Sequence, residues 1–422
     1  MHFKLLNDSQ QLPSLKQRDQ NYYEFHMAKG ILKVEWLKKH LNEIPSLIVV
    51  FIELDFDDSS WQEKLNHANN ILRKVEIIIN GRSIQIAVVL LQSKALLPPI
   101  EDISTLEKAQ EFCLKCNIKQ QNFFIVPKED VVLAYVIRLE KEFFNLSMAY
   151  YSKKIKQIRS YRSELDKSVH QNYLIRHEFK VAFFNEIRQE FSSAFKHYKV
   201  AYNYVLESRK SESHLMEYKT IAAFINYKIC RITFLNSATE AINQFRIHID
   251  AFVYDQGNTE LLFEHEAWLS AQFHIFGDLF NEAIKCNLSP LLTQNPGSYY
   301  QEAARYEIRR RDFVQNFTNN LSAEEIPEDF VREMSQKPDF FGQRPWKMGK
   351  RASEPTDKKR DRLAVLYLRR TEAQFKHWQN IVSFLEMANE QYFRFKANRI
   401  QSSNFFLIAK EYIKIGDYSE AL

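Results

Sequence analysis

The chain has 422 residues, 8 of them glycine and 33 phenylalanine, with a net charge of +5. That length predicts two or three domains. A glycine content far below the usual ~7% excludes a turn-rich β-sandwich or barrel and predicts long packed helices. Ten Lys and Arg against three acids lie between Arg344 and Arg370, so the rest of the chain is close to neutral and gives no electrostatic case for nucleic acid.

Residues 1–45 read as a polar N-terminal lead with a short helix around 30–42. "SLIVVFIEL" (46–54) is a near-continuous apolar, β-branched run, the pattern of a strand buried on both faces. A helix is predicted from Ser59 to Val75 or Ile79, broken at Asn80-Gly81. "SIQIAVVLLQ" (83–92) reads as a second buried strand. Pro98-Pro99 close a loop, 103–116 reads as a helix, and "NFFIVP" (122–127) as a third strand. Strands alternating with helices predict a small three-stranded parallel α/β domain, Rossmann-like, over 46–128.

From residue 129 the period becomes helical. Val132, Tyr135, Leu139, Phe143, Leu146 and Tyr150 step by three or four along one face. Region 129–319 then predicts helices only: 181–187 pairs with 194–206, and 218–234 with 238–253. Helices 262–284 and 298–313 follow. The proline-containing, charged stretch 320–358 reads as a loop or mobile insertion. Helices are expected again at 363–368 and 375–397 within a last region, 359–422. "AFKHYKVAY" from Ala194 and "AINQFRIHI" from Ala241 share an alanine and an aromatic four positions on, which suggests a repeat. Ala409, Tyr412, Gly416, Tyr418 and Ala421 resemble the core of a tetratricopeptide (TPR) helical hairpin. The fold class expected is mostly α: an α-solenoid of TPR-like hairpins preceded by the α/β domain. An apolar face left at the C-terminus predicts a fragment, with more repeats beyond Leu422.

The stretch "HEFKVAFFNEIRQEFSSAFKHYKVAY" (177–202) collects histidines, glutamates and tyrosines that suggest a site. Helical spacing argues against one. Phe179, Ala182, Phe183 and Ile187 form one stripe; Ala194, Phe195, Tyr198, Ala201, Tyr202 and Val205 form the facing one, with Ser192 or Ser193 as N-cap. His170 and His177 are about 10 Å apart along a helix at ~1.5 Å per residue, too far for zinc bonds of ~2 Å, and no H-E-x-x-H occurs.

Asp55, Asp57 and Asp58 follow the first strand, where a parallel sheet places its ligands. With Lys94 or Lys128 they give the main catalytic alternative, a magnesium-dependent phosphoryl-transfer enzyme. The competing reading is that Asp58 or Ser59 caps the next helix. "CLKC" (113–116) falls at a helix C-terminus, where no dipole activates a thiol, and Cys230 and Cys286 read as core. Arg309-Arg310-Arg311 and 350–362 offer charge to acidic lipid or an acidic partner, or face water. Four cysteines form no disulfide framework and fit a reducing compartment. No signal peptide opens the chain and no apolar run approaches the ~20 residues of a membrane helix, so a soluble cytosolic protein is expected.

"KGILKVEWLKKHLNEIPSLIVVFIELDFDDSSW" (29–61), "VHQNYLIRHEFKVAFFNEIRQEFSSAFKHYKVAYNYV" (169–205), "IAAFINYKICRITF" (221–234), "FEHEAWLSAQFHIFGDLFNEAI" (263–284), "TQNPGSYYQEAARY" (293–306) and "DFFGQRPWKMG" (339–349) together resemble the foie gras family, from about residue 22 to the end. The resemblance implies a non-catalytic scaffold arm of a TRAPP (trafficking protein particle) complex. Its partners would be other TRAPP subunits, with an indirect link to Rab-family GTPases. Its place would be cytoplasmic, peripheral at Golgi and ER–Golgi intermediate membranes, in traffic and autophagy. The family offers no catalytic, cofactor-binding or metal-binding residues to carry over. A generic TPR adaptor outside trafficking is the remaining alternative.

Overall fold

The computed structural model describes residues 4–5, 11–15, 28–93, 103–128, 132–208, 214–286, 288, 294–318, 324–348 and 357–421. The expected Pro98-Pro99 loop, Lys94, the start of the long helix at 129 and the segment 350–356 lie outside them. The chain divides into two compact units, Met1–His26 with Glu35–Glu164 and Phe183–Glu190, and Met27–Val34 with Leu165–Ala182 and Phe191–Leu422.

The first unit is built on β1 (Leu47–Glu53), β2 (Gln85–Gln92) and β3 (Phe123–Pro127), ordered β1-β2-β3. Both pairings are parallel, Val50 opposite Val88 and Val88 opposite Phe123. The lead helix is shorter than expected: α1 spans Val34–Lys38 and widens into a π-helical turn, Lys39–Glu43. Its first residue, Val34, donates its N–H to Asp339 O, and residues 29–32 before it are bends and not helix. The helices that connect the strands are α2 (Trp61–Ile79) and α3 (Ile103–Lys115). α4 (Val132–Ser160) follows β3.

Side chains alternate across a strand, and β2 uses both faces. Val88 and Leu90 pack with Trp61, Leu65 and Leu72 of α2 and Phe112 of α3. Ala87 and Val89 pack with Phe143 and Leu146 of α4. The unbroken apolar run of this strand therefore follows from a sheet covered on two sides. A third cluster joins Ile44, Ile48, Val75, Ile79, Ile84 and Tyr150.

Helices make up nearly all of the second unit. They are α5 (Gln171–Ile187), α6 (Phe191–Glu207), α7 (Leu215–Phe234), α8 (Ala238–Phe252), α9 (Leu262–Lys285), α10 (Pro296–Thr318), α11 (Glu328–Met334), α12 (Lys358–Ala373), α13 (His377–Phe393) and α14 (Asn398–Ile415). Helix α5 contributes its residues up to Ala182 here and the rest to the first unit. α6 begins at Phe191, ahead of Ser192 and Ser193, so neither serine is its N-cap. α12 starts earlier than predicted because Asp357 caps it, accepting from Lys359 N–H at 3.0 Å. Within 320–358, residues 324–348 carry α11 and bury Phe330, Met334, Phe340 and Trp346.

Contacts in this unit recur at a near-constant sequence offset. Tyr218 donates to Asn172 at 2.9 Å, Tyr202 meets His248 at 2.9 Å and Lys219 meets His265 at 2.6 Å, each pair 46 residues apart. Lys199 with Gln244 is 45 apart. The Phe179–Phe224 and Phe234–Phe280 ring pairs, at 5.3 and 5.2 Å, follow the same offset. From α5 to α7, each helix thus meets the second helix after it through equivalent positions, as stacked hairpins do. Gly277 permits the closest approach, because a Cβ there would lie 2.7 Å from the Tyr300 ring of α10.

Candidate functional site

The strand-one aspartates are brought near one another but are tied to other groups. Asp55 accepts from Ser93 N–H at 2.5 Å and Ser93 O–H at 2.7 Å, and these bonds hold its carboxyl below the usual range. Asp58 accepts from Ser60 N–H at 2.8 Å and from Lys64, which lowers it strongly. Neither Asp58 nor Ser59 is the N-cap of α2: Ser60 holds that place without a side-chain cap bond, and Asp58 braces Ser60 from outside the helix. Asp57 is exposed. Lys128 pairs with Glu53 at 2.9 Å, so it faces a carboxylate at the place where the phosphoryl-transfer reading put a phosphate. Among the described residues no three His, Cys, Asp or Glu side chains gather as metal ligands.

Helix α5 departs from a one-sided stripe. His177, Glu178 and Asn185 are buried with Phe179, Ala182 and Phe183, while Ile187 is only partly so. Apolar residues occur all round it, at Tyr173–Ile175 (173–175) and 181–184, and a helix apolar on every side is an interior one. Glu178 meets His197 of α6 at 2.6 Å, beside the Phe179–Tyr198 ring contact at 5.7 Å. His170 Nδ1 accepts from Asp166 N–H at 3.1 Å.

Cys113 lies in the last turn of α3 and Cys116 follows its end; both are buried, and burial pushes the Cys116 thiol up to about 11. Such thiols are not activated nucleophiles. Cys230 is core, with its thiol pushed up to about 12. Cys286 is exposed beyond the end of α9, which corrects its assignment to the core.

Two buried polar systems were not foreseen. In the first, Lys219, 1% exposed, lies 4.5 Å over the Trp268 ring and donates to His265 Nδ1 and to Asp255 O at 3.2 Å. Burial, then Lys219, pushes His265 down to about 4. It is therefore neutral, accepting at Nδ1 and donating from Nε2 to Val253 O at 3.0 Å. Burial likewise pushes His248 down to about 3. It accepts from Tyr202 O–H and donates to Gln272 Oε1 at 3.3 Å.

The second system uses the arginine run. Arg310 forks onto Glu372 of α12, with Nη2 to Oε2 at 2.9 Å, and reaches Glu307 at 3.3 Å. Glu307 also meets His377 of α13 at 3.1 Å. Arg311 donates to Glu411 of α14. Arg309 stacks on Tyr306 at 5.0 Å and is exposed. Two of the three arginines are thus interior ties between helices, not a surface for lipid. Of the basic segment after them, Arg360 pairs with Glu333 and Arg362 with Glu324 at 3.1 Å.

Arg310 and Glu372 also border a cleft of about 350 Å³ with Met216, Phe263, Trp268 and Leu368. Glu264 on its rim is held by Arg344, at 2.5 and 2.6 Å. Both of its carboxylates, Glu264 and Glu372, are paired with arginines. No helix among the described residues is long and apolar enough to cross a membrane.

Residues 214–422 match the sequence model of a family described as Foie gras liver health family 1. Over all 422 residues the chain is 40% identical to "Trafficking protein particle complex subunit 11" of Gallus gallus. It is 39% identical over the same span to the proteins of that name from Homo sapiens and Bos taurus. The chain spans 37% of the length of these relatives.

Proposed function

We propose, for a chain whose residues 214–422 belong to the foie gras family, that it acts as a non-catalytic scaffold segment of a TRAPP-type complex. The observation that carries this is 40% identity along the whole chain to a protein named as a subunit of the trafficking protein particle complex. The side-chain chemistry agrees with it. The buried charges hold helices together, and the aspartates after β1 are engaged by Ser93, Ser60 and Lys64.

The scaffold is an α-solenoid of TPR-like hairpins, preceded in the chain by a small α/β domain. Contacts that recur 45 or 46 residues apart support it, although that spacing exceeds the 34 residues of a TPR and lies in the range of longer helical repeats. An extended face of stacked hairpins suits binding of several proteins at once. Its partners are other TRAPP subunits, and it reaches Rab-family GTPases only through them. It sits in the cytoplasm, peripheral at Golgi and ER–Golgi intermediate membranes, and serves transport and autophagy there. Affinity capture of the tagged chain from cells, read by mass spectrometry, is expected to recover TRAPP subunits. Recovery of none of them overturns the proposal.

A further inference from the structure

In the second unit, residues 28–33 form a bent strap against α5 and α7. Ile31 and Leu32 are 1% exposed. Every turn of the strap's backbone is gripped. Arg176 of α5 donates to Ile31 O at 2.6 Å and Gly30 O at 2.5 Å. Phe341 N–H donates to Leu32 O and Val34 N–H to Asp339 O, both at 3.0 Å. Gly30 lies under the Phe340 ring, where a Cβ would come within 2.4 Å. The turn 339–343 is itself seated on α7, since a Cβ on Gly342 would lie 2.7 Å from Met216 O.

One contact in this buckle is chemically costly. Ile31 N–H donates at 2.5 Å to the carboxylate of Glu217, a side chain only 5% exposed in the first turn of α7. A carboxylate accepting one amide hydrogen bond inside a protein loses far more hydration than that bond returns. The charged and titratable groups on the elements around it are Arg176 on α5, Lys29 and Lys33 on the strap, Asp339 on the turn, and His214, Tyr218 and Lys219 on α7 itself. Lys33 is directed over the Phe340 ring at 5.5 Å and Lys219 toward His265. Arg176 spends its guanidinium on the strap's carbonyl oxygens and draws Glu217 down through its charge alone.

We propose that the strap is a proton-tightened latch: it holds fast to α7 when Glu217 carries a proton and loosens as Glu217 ionises. Burial, opposed by the Ile31 bond and by Arg176, moves Glu217 from 4.5 up to about 7. Release of the strap returns it to water and to its ordinary value. A group whose value is raised by docking binds its proton more tightly in the docked state, so docking strengthens as pH falls. The gain is complete below 4.5 and is lost as pH rises through about 7, a change of at most roughly 300-fold in the docking constant.

Amide hydrogen exchange of the full chain tests this. Protection of Ile31–Lys33 (31–33), corrected for intrinsic rate and divided by that of Ile225 and Ile229 in α7, is compared at about pH 5.5 and about pH 8.5. The ratio is expected to fall tenfold or more at the higher pH in the native chain (an order-of-magnitude figure). In Glu217→Gln, an uncharged isostere that still accepts from Ile31, it is expected to stay high at both. An unchanged ratio in the native chain overturns the latch, as does a fall in Glu217→Gln as large as the native one. Should that variant fail to fold, infrared difference spectra of the native chain read the buried protonated carboxyl directly. Its loss between about pH 5.5 and about pH 8.5 supports the latch, and its absence already at about pH 5.5 overturns it.

Discussion

At Gly277 the absence of a single carbon sets the distance between α9 and α10. The Tyr300 ring occupies the space of a Cβ, 2.7 Å away, and the Tyr300 hydroxyl is anchored on Asp278 at 2.9 Å, so the ring has little freedom to yield. Gly277→Ala is expected to destabilise the second unit by about 1–3 kcal/mol through overpacking, read as a lower urea midpoint with unchanged slope. The arginine run makes the same point with charge. Arg310→Ala strips the cation from Glu307 and Glu372, both buried, and is expected to cost about 3–5 kcal/mol. Arg309→Ala, at an exposed position beside Tyr306, is expected to stay within about 0.5 kcal/mol. Thermal unfolding of the two variants side by side checks this. Nothing in the triplet Arg309-Arg310-Arg311 distinguishes these roles, because the acids on the facing helices, Glu372 and Glu411, are 62 and 100 residues away.

Elements differ in how much of their environment is written locally. β2 was legible because "IAVVLL" alternates nothing: a strand apolar at every position has to be covered twice, and it is, by α2 and α3 on one face and α4 on the other. The facing stripe of α6 was equally readable, with Ala194, Tyr198, Ala201, Tyr202 and Val205 all buried. α5 was not, because its burial comes from several neighbours at once and so has no period to detect. The buried pairs Lys219–His265 and Tyr202–His248 were hidden for a related reason. Each partner, taken alone on its helix, reads as an ordinary polar residue, and only stacking brings them to 2.6 and 2.9 Å. Val88→Asp on β2 places a charge among Leu65, Phe112 and Leu72. It is expected to unfold the α/β unit, seen as loss of exchange protection across β1 to β3.

For the whole molecule, buried titratable groups of opposite tendency share one range of pH. His248 and His265 are neutral inside and would bind protons if exposed, so their share of stability is complete above 6.5 and is lost as pH falls toward about 3 and about 4. Glu217 works the other way, losing its share as pH rises from 4.5 to about 7. Between 4.5 and 6.5 each group contributes a slope of about 1.4 kcal/mol per pH unit, two upward and one downward. These three groups together are therefore expected to add a moderate gain of stability with pH in that range. Glu217→Gln should steepen the gain, and His248→Asn with His265→Gln should reverse it. Denaturant midpoints taken across the range decide the signs.

The offset of 45 or 46 residues between contacting partners also limits how such a chain can change length. Losing three residues inside one helix would put its polar partners out of step with both the preceding and the following hairpin. Losing or gaining a whole period would keep the remaining helices in step with one another. Length variation among proteins built this way should then arrive in units of a hairpin, with smaller insertions confined to the connections between helices.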